Sequence, residues 1–277
     1  MAQTRTSGHL PALDPRILLR DAAAAKRQLS CLRLKGRKHL LNPLEAKASY
    51  SFFKKASLSC SNIRRLVLAK FGNLCRPDRS ARCKFGCGIP PHQAHILGGC
   101  RHHNGLYVSR HDRAVGSIFR FLHKARPDCE IVVHGAHRPK EASPTIPSRI
   151  YGSLRPSKLY NIQQCNLQPD IMLIDHSNKS VDILEIGVSH WPHVPKLTIS
   201  KPSHYNRLRD AILKGRSYSC CLKGLVLGNL GEIPQGAIHA LALSAKTSRK
   251  DSLKCLQQAS RRITADALYL FTASLAD

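Results

Sequence analysis

Acidic residues are scarce in this sequence: 17 Asp and Glu stand against 44 Lys and Arg, which leaves a formal charge of +27 in 277 residues. A positive charge of this size exceeds what solubility needs and attracts phosphate backbones or anionic membranes. Long apolar runs are also lacking, since none approaches the roughly 18 to 20 residues of a spanning helix. No secretory signal pattern opens the chain. We therefore expect a nucleic-acid partner and no membrane.

A disulfide framework is not expected either. The 11 cysteines are odd in number and scattered over the chain, and without a secretory signal they are typical of thiols and metal ligands in a reducing compartment. This pattern is typical of the cytosol or the nucleus, and we expect the nucleus. The 42% of hydrophobic residues is enough for a sizeable core.

One cluster of cysteines has the spacing of a metal site. The pattern Cys-x3-Cys-x7-His-x4-Cys supplies three thiolates and one imidazole within 18 residues, and such sets hold structural Zn²⁺ in a tetrahedron. The predicted ligands are Cys83, Cys87, His95 and Cys100. Nearby Cys75, His92, His102 and His103 keep the ligand list open, and unrelated cysteines in a Cys-rich chain are the alternative. We expect the zinc to be structural and to hold a short, loop-rich segment.

The chain divides into three parts by composition and pattern. A basic arm with helical signals covers 1–80, the CCHC zinc knuckle covers 81–108, and an α/β domain covers 109–277. Helices are expected in the arm at about 14–35, 43–57 and 61–71. The Lys and Arg residues of the arm fit a solvated face and a track for phosphates equally well. In the α/β domain we expect a helix at 112–124, strands at 130–134, 170–175 and 180–188, a helix at 202–215, a strand at 222–228, and helices at 235–245 and 250–274. The fold class is therefore α/β, with a mixed sheet and flanking helices in the order helix, three strands, helix, strand.

The scarce carboxylates fall at informative places in this sheet. Strands 170–175 and 180–188 are joined by four residues, which is short enough for an antiparallel hairpin. A loop of even length sets Asp170 opposite Glu185 on one face and puts Asp182 on the other face. Only an odd-length loop would bring Asp182 into the same site.

Two carboxylates on one sheet face can hold Mg²⁺, which activates a water and offsets charge on a scissile phosphate. Lys201 lies at the start of the expected helix at 202–215, where its ammonium and the helix N-terminus would both favour a phosphate. The alternative is structural: Asp170 as a strand-start residue, Glu185 as a solvated strand residue and Lys201 as an ordinary surface lysine.

These motifs, taken together, resemble a known family. The zinc spacing, Arg110-His111-Asp112, Pro169-Asp170, Glu185 and Lys201-Pro-Ser-His-Tyr205 resemble the C-terminal half of the polyprotein of site-specific non-LTR retrotransposons, over about 80–220. That family ends in a zinc knuckle and a restriction-like endonuclease of the Pro-Asp-(Asp/Glu)-x-Lys type.

The resemblance implies a restriction-endonuclease-like fold and a catalytic role for four residues. Asp170 and Glu185 would bind Mg²⁺, Lys201 would be the catalytic lysine, and Tyr205 would complete a lysine–tyrosine element. Arg110 and His111 match a basic motif implicated in DNA contact and in assembly of the endonuclease.

The sequence also departs from the family pattern. Gln168 stands where Lys or Arg is usual, Asp112 where Asn is usual, and His204 where Lys is usual. Position 187 is Gly, so the lysine has to come from Lys201. A Tyr-x-Asp-Asp reverse-transcriptase motif is absent from the chain.

The sequence thus predicts a Mg²⁺-dependent endonuclease that nicks duplex DNA at an insertion site, with structural Zn²⁺ and with element RNA as a candidate further partner. A reverse transcriptase would act in cis in a full-length polyprotein, or in trans. The competing interpretations are a non-catalytic zinc-knuckle module that binds nucleic acid and a decayed copy of the element.

Overall fold

The computed structural model describes residues 82–134, 139–143, 145–151, 167–215 and 217–275, together with positions 62, 65, 66 and 69. The helices expected at about 14–35 and 43–57 lie outside the described residues. The four isolated positions are helical, which agrees with the helix expected at 61–71.

The secondary structure of the described residues follows the expected order. The strands are β1 (Glu130–Val133), β2 (Ile171–Asp175), β3 (Ser180–Ser189) and β4 (Ser219–Gly228). The α-helices are α1 (Asn104–Ala125), α2 (Val194–Ser203), α3 (Asn206–Lys214), α4 (Gln235–Ala245) and α5 (Arg249–Leu275). Shorter helical segments are the π-helix His95–Gly99 and the 3-10 helices Arg101–His103, Ser148–Tyr151 and Trp191–His193.

The four strands form one sheet in the order β1-β2-β3-β4. The first two pairings are antiparallel and the third is parallel, because α2 and α3 cross over between β3 and β4. A crossover of this kind returns the chain in the same direction, whereas the short hairpin between β2 and β3 reverses it. The prediction of an α/β domain with a mixed sheet flanked by helices is confirmed.

Each face of the sheet is covered by its own helices. Helices α1, α4 and α5 bury one face, with Phe119, Leu184, Leu225, Leu241 and Ile263 in a single apolar cluster. Helix α3 buries the other face against alternate residues of the same strands. Because side chains alternate along a strand, burial on both faces explains why β2 reads as a continuous apolar run.

The predicted helix at 202–215 is wrong in its bounds. Two helices occupy the region, α2 and α3, and they meet at His204 and Tyr205. Pro195 stands in the first turn of α2, where its missing N–H costs no hydrogen bond. Pro202 lies inside the last turn of that helix and marks its end, not its start. Lys201 is therefore at a helix C-terminus, so the expected support of a phosphate by a helix N-terminus does not hold.

The zinc-knuckle segment shares a core with the C-terminal helix. Ile96 and Leu97 of the π-helix are buried against Phe271 and Ala267 of α5, and Leu66 of the arm joins the same cluster. Helix α1 begins at Asn104, earlier than expected, so the boundary placed at 108 falls inside a continuous helix. One helix thus runs from the zinc segment into the α/β domain.

Candidate metal centre and candidate active site

The four predicted zinc ligands converge. One ligand atom from each of Cys83, Cys87, His95 and Cys100 lies within 4.8 Å of the others. The Sγ of Cys100 lies 3.9 Å from that of Cys83 and 3.4 Å from that of Cys87. Zinc–sulfur bonds of about 2.3 Å place two sulfurs of a tetrahedron about 3.8 Å apart. The donor set therefore fits a metal such as zinc.

The fourth ligand supports the same site independently. His95 is 3% exposed, and its Nε2 is buried without a hydrogen-bond partner among the described residues. A buried polar nitrogen without a partner is costly, and a bound metal removes that cost. The other candidates, His92, His102 and His103, are not part of the cluster of ligand atoms.

Local backbone geometry explains how the two first cysteines face inward. Gly86 and Gly88 have positive φ angles of 74° and 71°, a region that favours glycine. The N–H of Gly86 donates to the carbonyl of Cys83 at 2.9 Å, which closes a tight turn between the ligands. Burial raises the pKa of the Cys100 thiol to about 11, so metal binding there must displace its proton.

Helix α1 holds the zinc segment through two side chains. The Tyr107 hydroxyl donates to the carbonyl of Ile96 at 2.7 Å and accepts from the N–H of Cys100 at 3.3 Å. One turn later, Arg110 donates from Nη2 to the carbonyl of Leu97 at 2.8 Å. The backbone around two zinc ligands is thereby fixed to the same helix.

The candidate active site forms in a notch at the edge of the sheet. The ladder between β2 and β3 ends at the pair Ile171 and Leu184, while β3 continues to Ser189 beside β4. Pro169 cannot donate to a ladder, and beyond this point no strand among the described residues pairs with β3 on that side. The N–H and carbonyl of Ile186 are therefore open to side chains.

Asp170 occupies this notch as the register predicted. Its Oδ2 accepts from the N–H of Ile186 at 2.7 Å. The pair Ile171 and Leu184 places Asp170 next to Glu185, on the same side of the hairpin. The prediction that the hairpin has an even loop is confirmed, because Asp175 pairs with Ser180 across four residues.

Asp182 lies on the other face, also as predicted. It pairs with Leu173 in the ladder, and its carboxylate accepts from Lys223 Nζ at 2.6 Å. Lys223 in turn donates to Ser244 of α4. Asp182 is therefore separated from the notch by the sheet.

Lys201 reaches the notch from α2. Its Nζ lies 2.8 Å from Glu185 Oε1 and donates to the Ile186 carbonyl at 2.7 Å. A Cβ added to Gly187 would lie 3.4 Å from Lys201 Cδ. The lysine side chain thus passes over Gly187, where the absence of a side chain leaves room for it.

Glu185 keeps one oxygen without a partner. The residue is 8% exposed, and Oε2 accepts no hydrogen bond from the described residues. Burial, and then the charge of Asp170, raise the pKa of Glu185, although Lys201 opposes this effect. A perturbed carboxylate with a buried oxygen that accepts no hydrogen bond makes Glu185 a candidate functional residue.

His111 joins Asp170 in the notch. Its Nε2 lies 3.3 Å from Asp170 Oδ2 and 3.2 Å from the Ile186 carbonyl oxygen, and its Nδ1 lies 3.2 Å from Asp112 Oδ1. Burial lowers the pKa of His111, but the hydrogen bond to Asp170, its charge and the hydrogen bond to Asp112 outweigh burial and raise it to about 9.

Tyr205 and Arg110 lie close to the site, and each donates to a backbone carbonyl, while Tyr205 also interacts with the Glu185 carboxylate. Tyr205 is buried, and its hydroxyl donates to the Gln168 carbonyl at 3.1 Å. Burial, and then the charge of Glu185, raise its pKa. Arg110 is 3% exposed, and burial lowers its pKa to about 10. Such an arginine fits the assembly role implied by the resemblance and leaves almost no surface for contact with DNA.

The notch opens into a cleft of about 230 Å³. The cleft is lined by His111 and Lys201, by Gly187 and Ser189 of β3, and by Tyr107 and Arg110 of α1 among others. A ligand in this cleft would touch the site from the side of α1 and α2.

Sequence reasoning missed two elements of this arrangement. The Ile186 carbonyl is a backbone group, which no residue type marks. The second element is Tyr107. It lies four residues before His111, so both share one face of a helix, but this signal could be used only if α1 was known to begin at Asn104.

The chain matches no model of a known protein family and no curated protein. Among the described helices, none combines the length and the apolar character needed to cross a membrane.

Proposed function

We propose that the protein is a Mg²⁺-dependent endonuclease that nicks duplex DNA, as the resemblance to site-specific non-LTR retrotransposons implies. The observation that carries the proposal is the notch itself, where Asp170, Glu185 and Lys201 meet on a chain of charge +27. The partly buried Asp170 and the buried Glu185 place two carboxylates side by side, next to one lysine, on a chain whose charge attracts phosphates.

The residues of the notch fit a hard divalent ion. Asp170, the unpartnered Oε2 of Glu185 and the Ile186 carbonyl would hold it, because Mg²⁺ prefers oxygen ligands and keeps several waters. When bound, such an ion lowers the pKa of a water and offsets charge on the scissile phosphate. The oxygens of these three residues fix the position of that charge in the cleft.

Lys201 supplies the remaining catalytic group. Its ammonium lies against Glu185 Oε1 and the Ile186 carbonyl, so it stays at the mouth of the notch where a phosphate would enter. A fixed ammonium at this place can orient the attacking water and stabilise the charge that develops on phosphorus oxygens. Tyr205 acts as a positioning residue, since it binds the backbone just before Asp170.

The rest of the proposal concerns partners. The four-stranded mixed sheet with its helices is compatible with the restriction-endonuclease-like fold, and the Cys/His cluster with structural Zn²⁺. The basic charge supports binding of a duplex DNA target and of element RNA. A reverse transcriptase, in cis or in trans, would use the nick, and the protein would work in the nucleus.

One observation favours a second candidate, a zinc-knuckle module that binds nucleic acid without cutting it. Lys201 and His111 already satisfy most acceptors in the notch, so the network is nearly complete without an ion. In that case the carboxylates would only stabilise the sheet edge.

Nicking of supercoiled plasmid by the purified zinc-loaded chain, with and without Mg²⁺, separates the two candidates. We expect Asp170→Ala and Glu185→Ala to abolish nicking while DNA binding changes little, because loss of a carboxylate does not weaken attraction to phosphates. Asp182→Ala is the matched control on the opposite face and should keep nicking. Mg²⁺-dependent cutting by Asp170→Ala would refute the proposed site, and absence of any nicking by the wild type would favour the binding module.

A further inference from the structure

The cleft beside the notch is a space that the proposed cleavage step does not use. It meets the notch at Lys201 and His111, which line the cleft and also contact the Ile186 carbonyl oxygen. A phosphate held at the notch would therefore stand at one end of the cleft. Whatever group of the substrate is joined to that phosphate is the group that the cleft can receive.

Most of the surface that lines the cleft is apolar. Leu197 of α2 and Val226 of β4 line it together with Tyr107 of α1. Gly187 keeps the space open, because a Cβ there would lie 3.2 Å and 3.3 Å from the two methyl carbons of Val226 and 3.4 Å from Lys201 Cδ. Walls of this kind favour an apolar ligand group, whereas the ammonium of Lys201, where the cleft meets the notch, favours a phosphate.

A nucleotide combines these two properties. Its phosphate is anionic, and the faces of its base are π-surfaces that pack on aromatic and apolar side chains. In a paired duplex both faces are covered by stacked neighbours, so a base can enter a cleft only after it leaves the stack. The volume of about 230 Å³ lies below the roughly 300 Å³ at which pockets for drug-sized ligands begin. The cleft therefore suits a single base and is too small for a base pair.

We propose that the cleft holds one unstacked base of the DNA, next to the phosphate that is cut. The inference rests on the proposed function, because it takes the notch as the place of that phosphate, and it narrows the substrate class. The favoured substrate is a duplex with an unpaired base beside the cut, since such a base enters the cleft without the full cost of unpairing and unstacking. A fully paired duplex has to meet that cost.

Binding without cleavage tests the cleft alone. The full zinc-loaded chain is mixed, without Mg²⁺, with labelled duplexes that are fully paired, carry one extra unpaired base, or carry an abasic site in place of that base. Fluorescence anisotropy at moderate salt measures the dissociation constants. We expect the unpaired base to tighten binding about 10-fold, the scale of one stacked base. The abasic site should give little of this gain, because no base is left to enter the cleft.

Two variants fill the cleft from two of its walls. Gly98→Leu adds a side chain on the zinc-knuckle segment, where a Cβ meets nothing within 4 Å, and Ser189→Leu adds one on β3. Both should lose the preference for the unpaired base and keep the affinity for paired duplex. Gly105→Leu is the matched control, because a Cβ at Gly105 also meets nothing within 4 Å and this residue of α1 does not line the cleft. It should keep the preference.

Nicking shows where the bound base lies relative to the cut. With Mg²⁺ and end-labelled duplexes of the same three kinds, the wild type should cut the phosphate beside the unpaired base at least about 10-fold faster than the same phosphate in the paired duplex. Gly98→Leu and Ser189→Leu should remove this difference, and Gly105→Leu should keep it.

The outcomes separate the inference from the proposed function. Equal affinity of the wild type for paired and unpaired duplexes, or a preference that both cleft variants keep, would overturn the role of the cleft and leave Mg²⁺-dependent nicking as it stands. Tighter binding of the unpaired base without faster cutting beside it would overturn its place next to the cut phosphate. A preference that both variants lose, on a chain that nicks no duplex, would support the binding of a base in the cleft while the proposed cleavage failed.

Discussion

Substitution of Gly224 by Ala tests whether the close packing of α2 against the sheet determines the position of Lys201 in the candidate active site. Gly224 lies in β4 beside Glu185, and α2 passes directly over it. An added Cβ would lie 2.9 Å from the carbonyl carbon and 3.0 Å from the Cα of Thr198, and closer still to the carbonyl oxygen. Pro202 has no N–H to donate to the Thr198 carbonyl oxygen, and the helix turn at this point packs directly against β4.

The expected displacement follows from these distances. Ordinary contacts of a Cβ begin at 3.4 Å, so α2 would have to move away by roughly 1 Å. Overpacking of this kind costs about 1 to 3 kcal/mol. A cost of about 2 kcal/mol would lower the melting temperature of a chain of this size by about 4 to 8 °C. The same shift would draw Lys201 from Glu185, now 2.8 Å away, and a misplacement of about 1 Å can cost about 10²-fold in rate.

Thermal unfolding and plasmid nicking measure the two effects separately. Gly236→Ala in α4 is the matched control, since an added Cβ there meets nothing within 4 Å. It should leave nicking unchanged and keep or slightly raise stability, because Ala is the better helix former. A Gly224→Ala protein with wild-type stability would refute the described packing of α2. Lower stability with full nicking would refute the dependence of cleavage on the place of Lys201.

Three further predictions concern zinc, the buried ion pair and the lysine. Cys83→Ser should lower the zinc content below one equivalent per chain, as measured by atomic absorption, whereas Cys221→Ser, at an exposed cysteine, should retain it. Equal zinc in both variants would reject the ligand set. Hydrogen bonds from Asn178, Lys246 and Arg126 hold the pKa of Asp175 well below its usual range. The ionised carboxylate therefore stabilises the fold fully above the pKa of about 3.9 in the unfolded chain, and this contribution is lost as the pH falls below that value. Asp175→Asn should therefore cost about 1.5 to 3 kcal/mol at pH 7 in urea unfolding, because it removes the buried charged partner of Arg126, which keeps only the more exposed Asp128, and should flatten the acid dependence; an unchanged acid slope would contradict this. Lys201→Ala should lower the rate of nicking about 10²- to 10³-fold but change the slope of log K against log[salt] for DNA binding by at most about one unit. If nicking and DNA binding fell by the same small factor, Lys201 would be part of the basic surface only.

The hairpin could be predicted from sequence because its determinants are local. Two apolar runs and a four-residue connection fix the parity of pairing, and parity alone puts Asp170 and Asp182 on opposite faces. The zinc ligands were predictable for a similar reason, since their spacing is short and their residue types are specific to soft metals.

The position of Lys201 in its helix was not predictable in this way. Pro202 suggested a helix start, because proline is common in the first turn. In the fold, the helix begins at Val194 and packs over Gly224. This tertiary contact stabilises the helical conformation up to and including Pro202. Likewise, the burial of Arg110 depends on the π-helix carbonyl of Leu97, which exists only once the zinc segment has folded.

The continuity of α1 has a thermodynamic consequence for the candidate zinc site and the proposed ion site in the notch. Tyr107 fixes the zinc segment and His111, one turn further, reaches Asp170, so about 6 Å of rigid helix separates the two contacts. Coupling between sites is reciprocal. If release of zinc loosens this helix and weakens divalent-ion binding in the notch by some factor, then an ion in the notch must raise the affinity for zinc by the same factor.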